Sequence, residues 1–328
     1  MTFRPLTLAL AAAAAGVTGL SAVAAELSGP IVIDGSSTVY PITEAAGKAF
    51  QEENPAVRVT VGVSGTGGGF KRFTKGETDI SDASRPIKAQ ELKVAMDNDI
   101  EFIEIPVAYD GLTIAVNPSN SWANELTVDH LKKIFLADSP AETWKDVNPS
   151  FPDTPITIYA PGTDSGTFDY FKEVVAGKEG EMRSDMNVSE DDNVLVTGVA
   201  GDKGAIGFFG ASYYFENEDK LKAVGIINED GDAVLPSPST IEDGSYNPFS
   251  RPLFIYVNKD SLNKPQVREF VEFYLDEGPD LAEEVGYVRL PSSVYDAARE
   301  NVDTMETGTD YLDDNMEKVE GPVTQVYN

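Results

Sequence analysis

"PITIYAPGTDSGTFDYFKEVVAG", residues 155–177, reads as a strand, a small polar turn and a stretch with helical spacing. Gly162 to Thr167 is a run of six small or polar residues at the mouth of that helix. A helix start leaves backbone N–H groups without partners and carries partial positive charge, so such a turn can hold an anion. It can equally be an ordinary capped helix. Recurrence of the pattern elsewhere in the chain separates the two readings.

The pattern recurs twice. "DGSSTVYP" (34–41) and "SGTGGGF" (64–70) combine Gly, Ser and Thr ahead of a helix, as "GTDSGTF" (162–168) does. Ile31 to Ile33 are β-formers, Pro41 suits a first helical turn, and Ala45, Ala46, Ala49 and Phe50 keep helical spacing. Val57 to Val63 alternate as a strand. Strands and helices continue to alternate to the helix "PQVREFVEFYLDEG", with Val267, Phe270, Val271 and Tyr274 on one face. Trp144 is placed in a loop, and the acidic stretch "ENVDTMETGTDYLDDNMEKVEG" is expected to be partly helical and surface-lying. This grammar predicts an α/β protein with mostly parallel sheets. Two crossings, near "AYDGLTIAVN" and "RPLFIYV", divide the chain into lobe I (26–110 plus 250–328) and lobe II (111–249).

Two of the three turns then belong to lobe I and one to lobe II. In open α/β sheets ligands sit outside the carboxyl ends of the strands, where such turns lie. The expected result is a hinged cleft with helix starts aimed at its centre. No turn continues into the Gly-Lys-Ser/Thr of a nucleotide phosphate loop.

Composition narrows the ligand and the compartment. The chain has 328 residues, no cysteine, one histidine and a net charge of −30. The absence of cysteine excludes disulfides, thiolate metal sites, cysteine nucleophiles and a lipid-modified cysteine anchor. The lone His130 leaves little room for a histidine triad or multi-histidine metal site. Such acidity disfavours nucleic acid and anionic lipid as partners. It does not oppose a small anion in a cleft, because bulk charge is screened over about 8–10 Å. Residues 1–25, with Arg4 before "LTLALAAAAAGVTGL" and then "SAVAA", read as a cleavable export signal. A periplasmic, unanchored product is the expectation.

The motifs "IDGSSTVYPI", "VSGTGGGFKRF", "DISDASRPI", "GTDSGTF" and "GDKGAIGFF" resemble those of the PstS family, the periplasmic phosphate-binding proteins of the phosphate ABC transporter. The resemblance covers most of residues 30–295. It implies a type II periplasmic-binding-protein fold that closes on dehydrated orthophosphate and docks to membrane permease subunits, as a monomer without cofactor. Carried over by position, Ser37, Thr38 and the Val39 amide would bind phosphate from the first turn. Thr66 and Gly67 would serve from the second, Ser84 and Arg85 from the strand between, and Ser165, Gly166 and Thr167 from the third.

Two departures matter. Ser84 stands where the best-studied branch has aspartate, and Pro161 where it has arginine. Arg85 is therefore the expected cationic ligand, its alternative being a surface ion pair. Asp82 or Asp164 is the expected carboxylate, with Asp110 an outside choice whose alternative is a hinge hydrogen bond. Phosphate can donate its proton to a carboxylate, whereas sulfate has none to give. A site built to pair that hydrogen rejects the analogue lacking it by ~10⁴–10⁵.

Three other functions are weighed: a carrier of sulfate, molybdate or phosphonate, a secreted phosphatase, and an adhesion or scaffold protein. A phosphatase needs a nucleophile, usually with metals or histidines. "SEDDN" (189–193) is the only dense acidic cluster, and it lacks calcium-loop spacing. It reads better as a solvated helix start.

Overall fold

The computed structural model describes residues 27–328, apart from 139, 163, 164, 178, 179, 190, 229, 320 and 328. It opens with β1 (Gly29–Gly35), α1 (Tyr40–Glu53), β2 (Val57–Val63), α2 (Thr66–Phe73), β3 (Ile80–Ala83) and α3 (Ala89–Asp97). The three strands pair in parallel in the order β2-β1-β3. Pro41 lies in the first turn of α1, where its missing N–H costs no hydrogen bond. Phe50 of α1 meets Phe270 and Phe273 edge-on, at 5.3 and 5.4 Å between ring centroids.

The long strand β4 (Phe102–Val116) is buried along its whole length. Beyond it lie β5 (Glu125–Leu126), α4 (Val128–Phe135), α5 (Trp144–Val147), β6 (Thr157–Pro161) and α6 (Gly166–Val175). Next come β7 (Asn187–Ser189), α7 (Asp192–Gly201), β8 (Ala205–Gly210), α8 (Ala211–Glu216), β9 (Lys222–Ala223), β10 (Gly225–Ile227), β11 (Ala233–Val234) and α9 (Pro238–Glu242). β6 pairs in parallel with β7 and β8, and β5, β10 and β11 form a small separate sheet. Trp144 opens a short helix rather than sitting in a loop. It is fully buried, and its indole N–H donates to the Gly204 carbonyl at 2.9 Å.

The chain returns through β12 (Ser250–Asn258) and ends with α10 (Pro265–Glu284), α11 (Ser292–Thr304) and α12 (Val323–Val326). β12 runs antiparallel between β3 and β4. The sheet is therefore mixed: parallel within each half, antiparallel where β4 and β12 cross. β4 changes partner midway. Phe102 to Gly111 pair with β12, and Leu112 to Val116 pair with β8.

The acidic stretch 300–321 is partly helical, in α11, and mostly exposed, as expected, but Tyr311 within it and the residues just after it turn inward. Tyr311, Val323 and Tyr327 are buried. Tyr311 meets Phe254 edge-on at 5.2 Å, and the Tyr327 hydroxyl donates to the Glu104 carbonyl at 2.8 Å. Its apolar residues are few but large, and they land on β4 and β12 while exposed carboxylates stay in water. The Glu104 carboxylate beneath accepts from the hydroxyls of Tyr256 and Thr309, each at 2.6 Å, and from the Asp310 amide at 3.2 Å. Burial pushes this carboxyl up to about 7 despite those bonds.

Candidate functional site

The first three strands end at Gly35, Val63 and Ala83 on the same edge of the sheet. The first turn is tied to its neighbours by backbone bonds from Ser36 N to Asp82 O (3.0 Å) and Ser64 N to Gly35 O (3.1 Å). Gly35 has φ +152°, and a Cβ there would stand 2.1 Å from the Asp82 carbonyl oxygen. Only glycine lets the turn come so close to β3.

The three turns differ in how their helices start. Neither α1 nor α2 has a side-chain cap. In the third turn the Ser165 hydroxyl accepts from the Thr167 amide at 3.2 Å, a local cap on α6. Thr66 and Ser84 are brought together: their hydroxyls lie 3.1 Å apart, and the Ser84 amide donates to Thr66 Oγ1 at 3.1 Å. Among the described residues, nothing lies within 4 Å of a Cβ placed at Gly67. Val39 is fully buried and Ser37 half-buried, beside a buried Thr38. The Thr38 amide donates to Ser36 Oγ at 3.1 Å.

Arg251 reaches the first turn at Thr38. Phe254 pairs with Ala83, so Arg251 lies three residues past the carboxyl end of β3, level with the turns. It pairs across the ladder with Asp110 of β4. Its Nη2 donates to the Thr38 hydroxyl at 3.3 Å and its Nε to Asp110 Oδ2 at 3.3 Å. Its Nη1 donates to Glu173 Oε2 of α6 at 3.2 Å. The guanidinium carbon stands 3.7 Å over the Tyr170 ring, also on α6. Tyr287 closes the cluster by donating to the Thr38 carbonyl at 2.6 Å. One arginine thus joins the first turn, the hinge strand and the helix that follows the third turn.

The other charged candidates lie as follows. Arg85 forms a two-pronged pair with Glu91, at 2.8 and 2.9 Å, and donates to the Pro86 carbonyl at 3.0 Å. Its fork is occupied by the residue that also accepts the Lys88 amide at the start of α3. Asp82 is fully buried and turned into the core: Oδ1 accepts from the Thr43 hydroxyl at 3.1 Å, and Oδ2 has no partner among the described residues. Burial pushes its carboxyl up to about 7, Thr43 opposes this, and nearby Asp34 adds to it. Asp164 lies outside the described residues. Asp110 has a side chain only 4% exposed. Burial raises its proton affinity, partly offset by Arg251. "SEDDN" is a helix start, with Asp191 Oδ1 accepting from the Asn193 amide at 3.0 Å.

Arg251, Tyr170, Glu173 and Tyr287 were not singled out from sequence. The available signal was that each crossing segment carries one charge, Asp110 and Arg251, in an otherwise apolar run. Opposite charges in two crossing strands invite pairing.

Two helix starts without side-chain caps, a row of hydroxyls and one half-buried arginine are the kinds of group that can hold an oxyanion. Residues 20–277 match the model of the PBP superfamily domain. The chain is 51% identical to protein SphX of Synechococcus elongatus over 281 residues, 85% of this chain and 83% of that one. The chain belongs to the SphX and PstS family of the PBP superfamily. It is 44% identical over 271 residues to the phosphate-binding protein PstS of Staphylococcus haemolyticus, covering 82% of this chain and 84% of that one. The crystal structure of a possible phosphate binding protein from Planctomyces limnophilus superposes with a TM-score of 0.83 at 46% identity. That match covers 85% of this PBP superfamily member and 99% of the crystallised chain. Among the described residues, no helix is long and apolar enough to cross a membrane.

Proposed function

We propose that this protein binds inorganic phosphate between its two lobes and delivers it to permease subunits of an ABC transporter, catalysing no reaction. The observation that carries this reading is Arg251, which touches the first turn through Thr38 and the helix of the third through Tyr170 and Glu173. Ser37, Thr38, Val39, Thr66, Gly67 and Ser84 are the proposed ligands from lobe I. Ser165, Gly166 and Thr167 are those from lobe II, with Arg251 as the shared cation. Arg85 is held by Glu91, so it braces the strand end rather than binding the anion.

Asp110 is the proposed proton-accepting carboxylate, in preference to Asp82, whose side chain lies among Thr43 and the core. Burial makes Asp110 a stronger proton acceptor than an exposed aspartate. The partner change of β4, between Gly111 and Leu112, falls one residue from the lobe boundary at 110/111, and β12 opens at Ser250, beside the boundary at 249/250. A monomeric carrier in the periplasm, reached by removal of residues 1–25, completes this reading.

Calorimetric titration of phosphate-stripped protein with phosphate and then sulfate, at pH 6 and pH 8, tests the assignment. Tight one-to-one phosphate binding with sulfate at least a thousandfold weaker is the expected outcome. Comparable binding of both removes the carboxylate's role. No heat from either sinks the phosphate reading.

A further inference from the structure

Arg251 faces two carboxylates of opposite character. Asp110 is built into β4, with its side chain 4% exposed. Glu173 lies on the surface of α6 with its side chain 67% exposed, yet its carboxylate holds Arg251 Nη1 at 3.2 Å. It sits one turn after Tyr170 on the same helical face, so the ring and the carboxylate grip the guanidinium together. All three nitrogens of the arginine are thereby engaged, by Asp110, Thr38 and Glu173.

One cation shared by two carboxylates leaves the cluster with an excess negative charge. An arriving oxyanion adds to that excess, and it meets a guanidinium with three of its five N–H groups already engaged and its Nη1 facing a carboxylate. The contacts are unequal in permanence. Asp110 is fixed by the strand ladder, and the Thr38 hydroxyl is a neutral acceptor compatible with an anion beside it. The Glu173 side chain alone can leave into water without leaving a buried charge unpaired. Its flexible stem and solvent access make it the exchangeable partner.

We propose that Glu173 is an internal competitor for Arg251: its carboxylate occupies Nη1 in the empty cleft and must yield when the oxyanion binds, setting the affinity lower than the cradle alone would give. This rests on Arg251 being the anion's cation. Glu173 is a positioning residue in this scheme, acting through Arg251. It also keeps the arginine extended across the cleft, stacked on Tyr170, while no ligand is present.

The test is titration of inorganic phosphate into the whole protein and into Glu173→Gln, with Glu218→Gln as an exposed control making the same charge change elsewhere. Arg251→Gln and Arg251→Lys are titrated in parallel. The expected result is roughly two- to fivefold tighter phosphate binding for Glu173→Gln, the range set by an exposed ion pair. No such change is expected for Glu218→Gln. The gain should shrink as salt is raised, because an exposed pair is screened. Unchanged or weaker binding by Glu173→Gln, with both Arg251 variants impaired, overturns the competitor role and leaves the cradle standing. Full-strength binding by an Arg251 variant overturns both.

Discussion

The guanidinium carbon of Arg251 lies over the Tyr170 ring, 3.7 Å from its centroid, and so couples β12 to α6. Such a stack contributes about 0.5–2 kcal/mol, depending on how dry it is. The Tyr170 hydroxyl has a separate task, donating to the Pro248 carbonyl at 2.8 Å. Tyr170→Phe keeps the face and should bind phosphate nearly as the native protein does. Tyr170→Leu should bind it about 3- to 30-fold more weakly by calorimetry. Equal affinities for the two variants would show that the stack has no part in binding.

Arg251→Lys is expected to weaken phosphate binding about 10- to 100-fold, although the charge is kept. A lysine cannot reach Asp110, Thr38 and a ligand at once from a planar fork, and each lost charged hydrogen bond costs about 1.5–3 kcal/mol. Retained affinity in this variant would move the cation's role back toward Arg85.

Gly35→Ala should damage both stability and binding. The added methyl would collide with the backbone of Asp82, at 2.1 Å from its carbonyl oxygen, and the residue already has φ +152°. The backbone there cannot yield without breaking the Ser36–Asp82 bond that sets the first turn. A lowered Tm together with lost phosphate binding is the expected pair of results. A native-like Tm would mean that the turn tolerates displacement from β3.

The buried carboxyls of Asp82 and Glu104 both have folded values near 7, raised from 3.8 and 4.5 by burial. The folded state therefore binds these protons more tightly than the unfolded chain. Their stabilising contribution is complete below about pH 4 and is lost as pH rises through 7. Asp82→Asn mimics the protonated form, with Thr43 still able to donate to it. It should match the native protein only at about pH 4 or below, gain on it as pH rises toward 7, and exceed its stability by about 1–4 kcal/mol at pH 8, in urea unfolding. Destabilisation at both values would show that ionised Asp82 has a partner worth keeping.

Tyr311→Ala is expected to cost about 3 kcal/mol, as loss of a buried aromatic does. The ring is buried against Phe254. A change under about 0.5 kcal/mol would return the C-terminal stretch to the surface role that its acidity suggests.

The strand-turn-helix units were legible because their signals are local. Pro41, the glycine turns and the alternation of Val57 to Val63 each work within a few residues, and the structure forms β1, α1 and β2 there. The hydroxyls of Thr66 and Ser84 were legible for the same reason, being carried by turns. Arg251 was not. Its importance arises from a ladder pairing with Asp110, 141 positions earlier, which no local pattern encodes. The burial of Tyr311 and Tyr327 was hidden likewise, because two aromatics among many carboxylates weigh little in composition but much in contact area. Arg85 shows the converse: its position in the motif suggested a ligand, while Glu91, six residues on, takes up its fork.

The continuity of β4 has a mechanical consequence. A single strand serves as a rib in two cores, passing from β12 to β8 between Gly111 and Leu112 without an intervening loop. Relative movement of the halves must then be stored as twist along a hydrogen-bonded ribbon, closer to a torsion spring than to a door on a slack tether. Such a joint returns by itself when the load is removed. A single unfolding transition on heating is the expected outcome, because either half can melt only by pulling apart a strand that belongs to both.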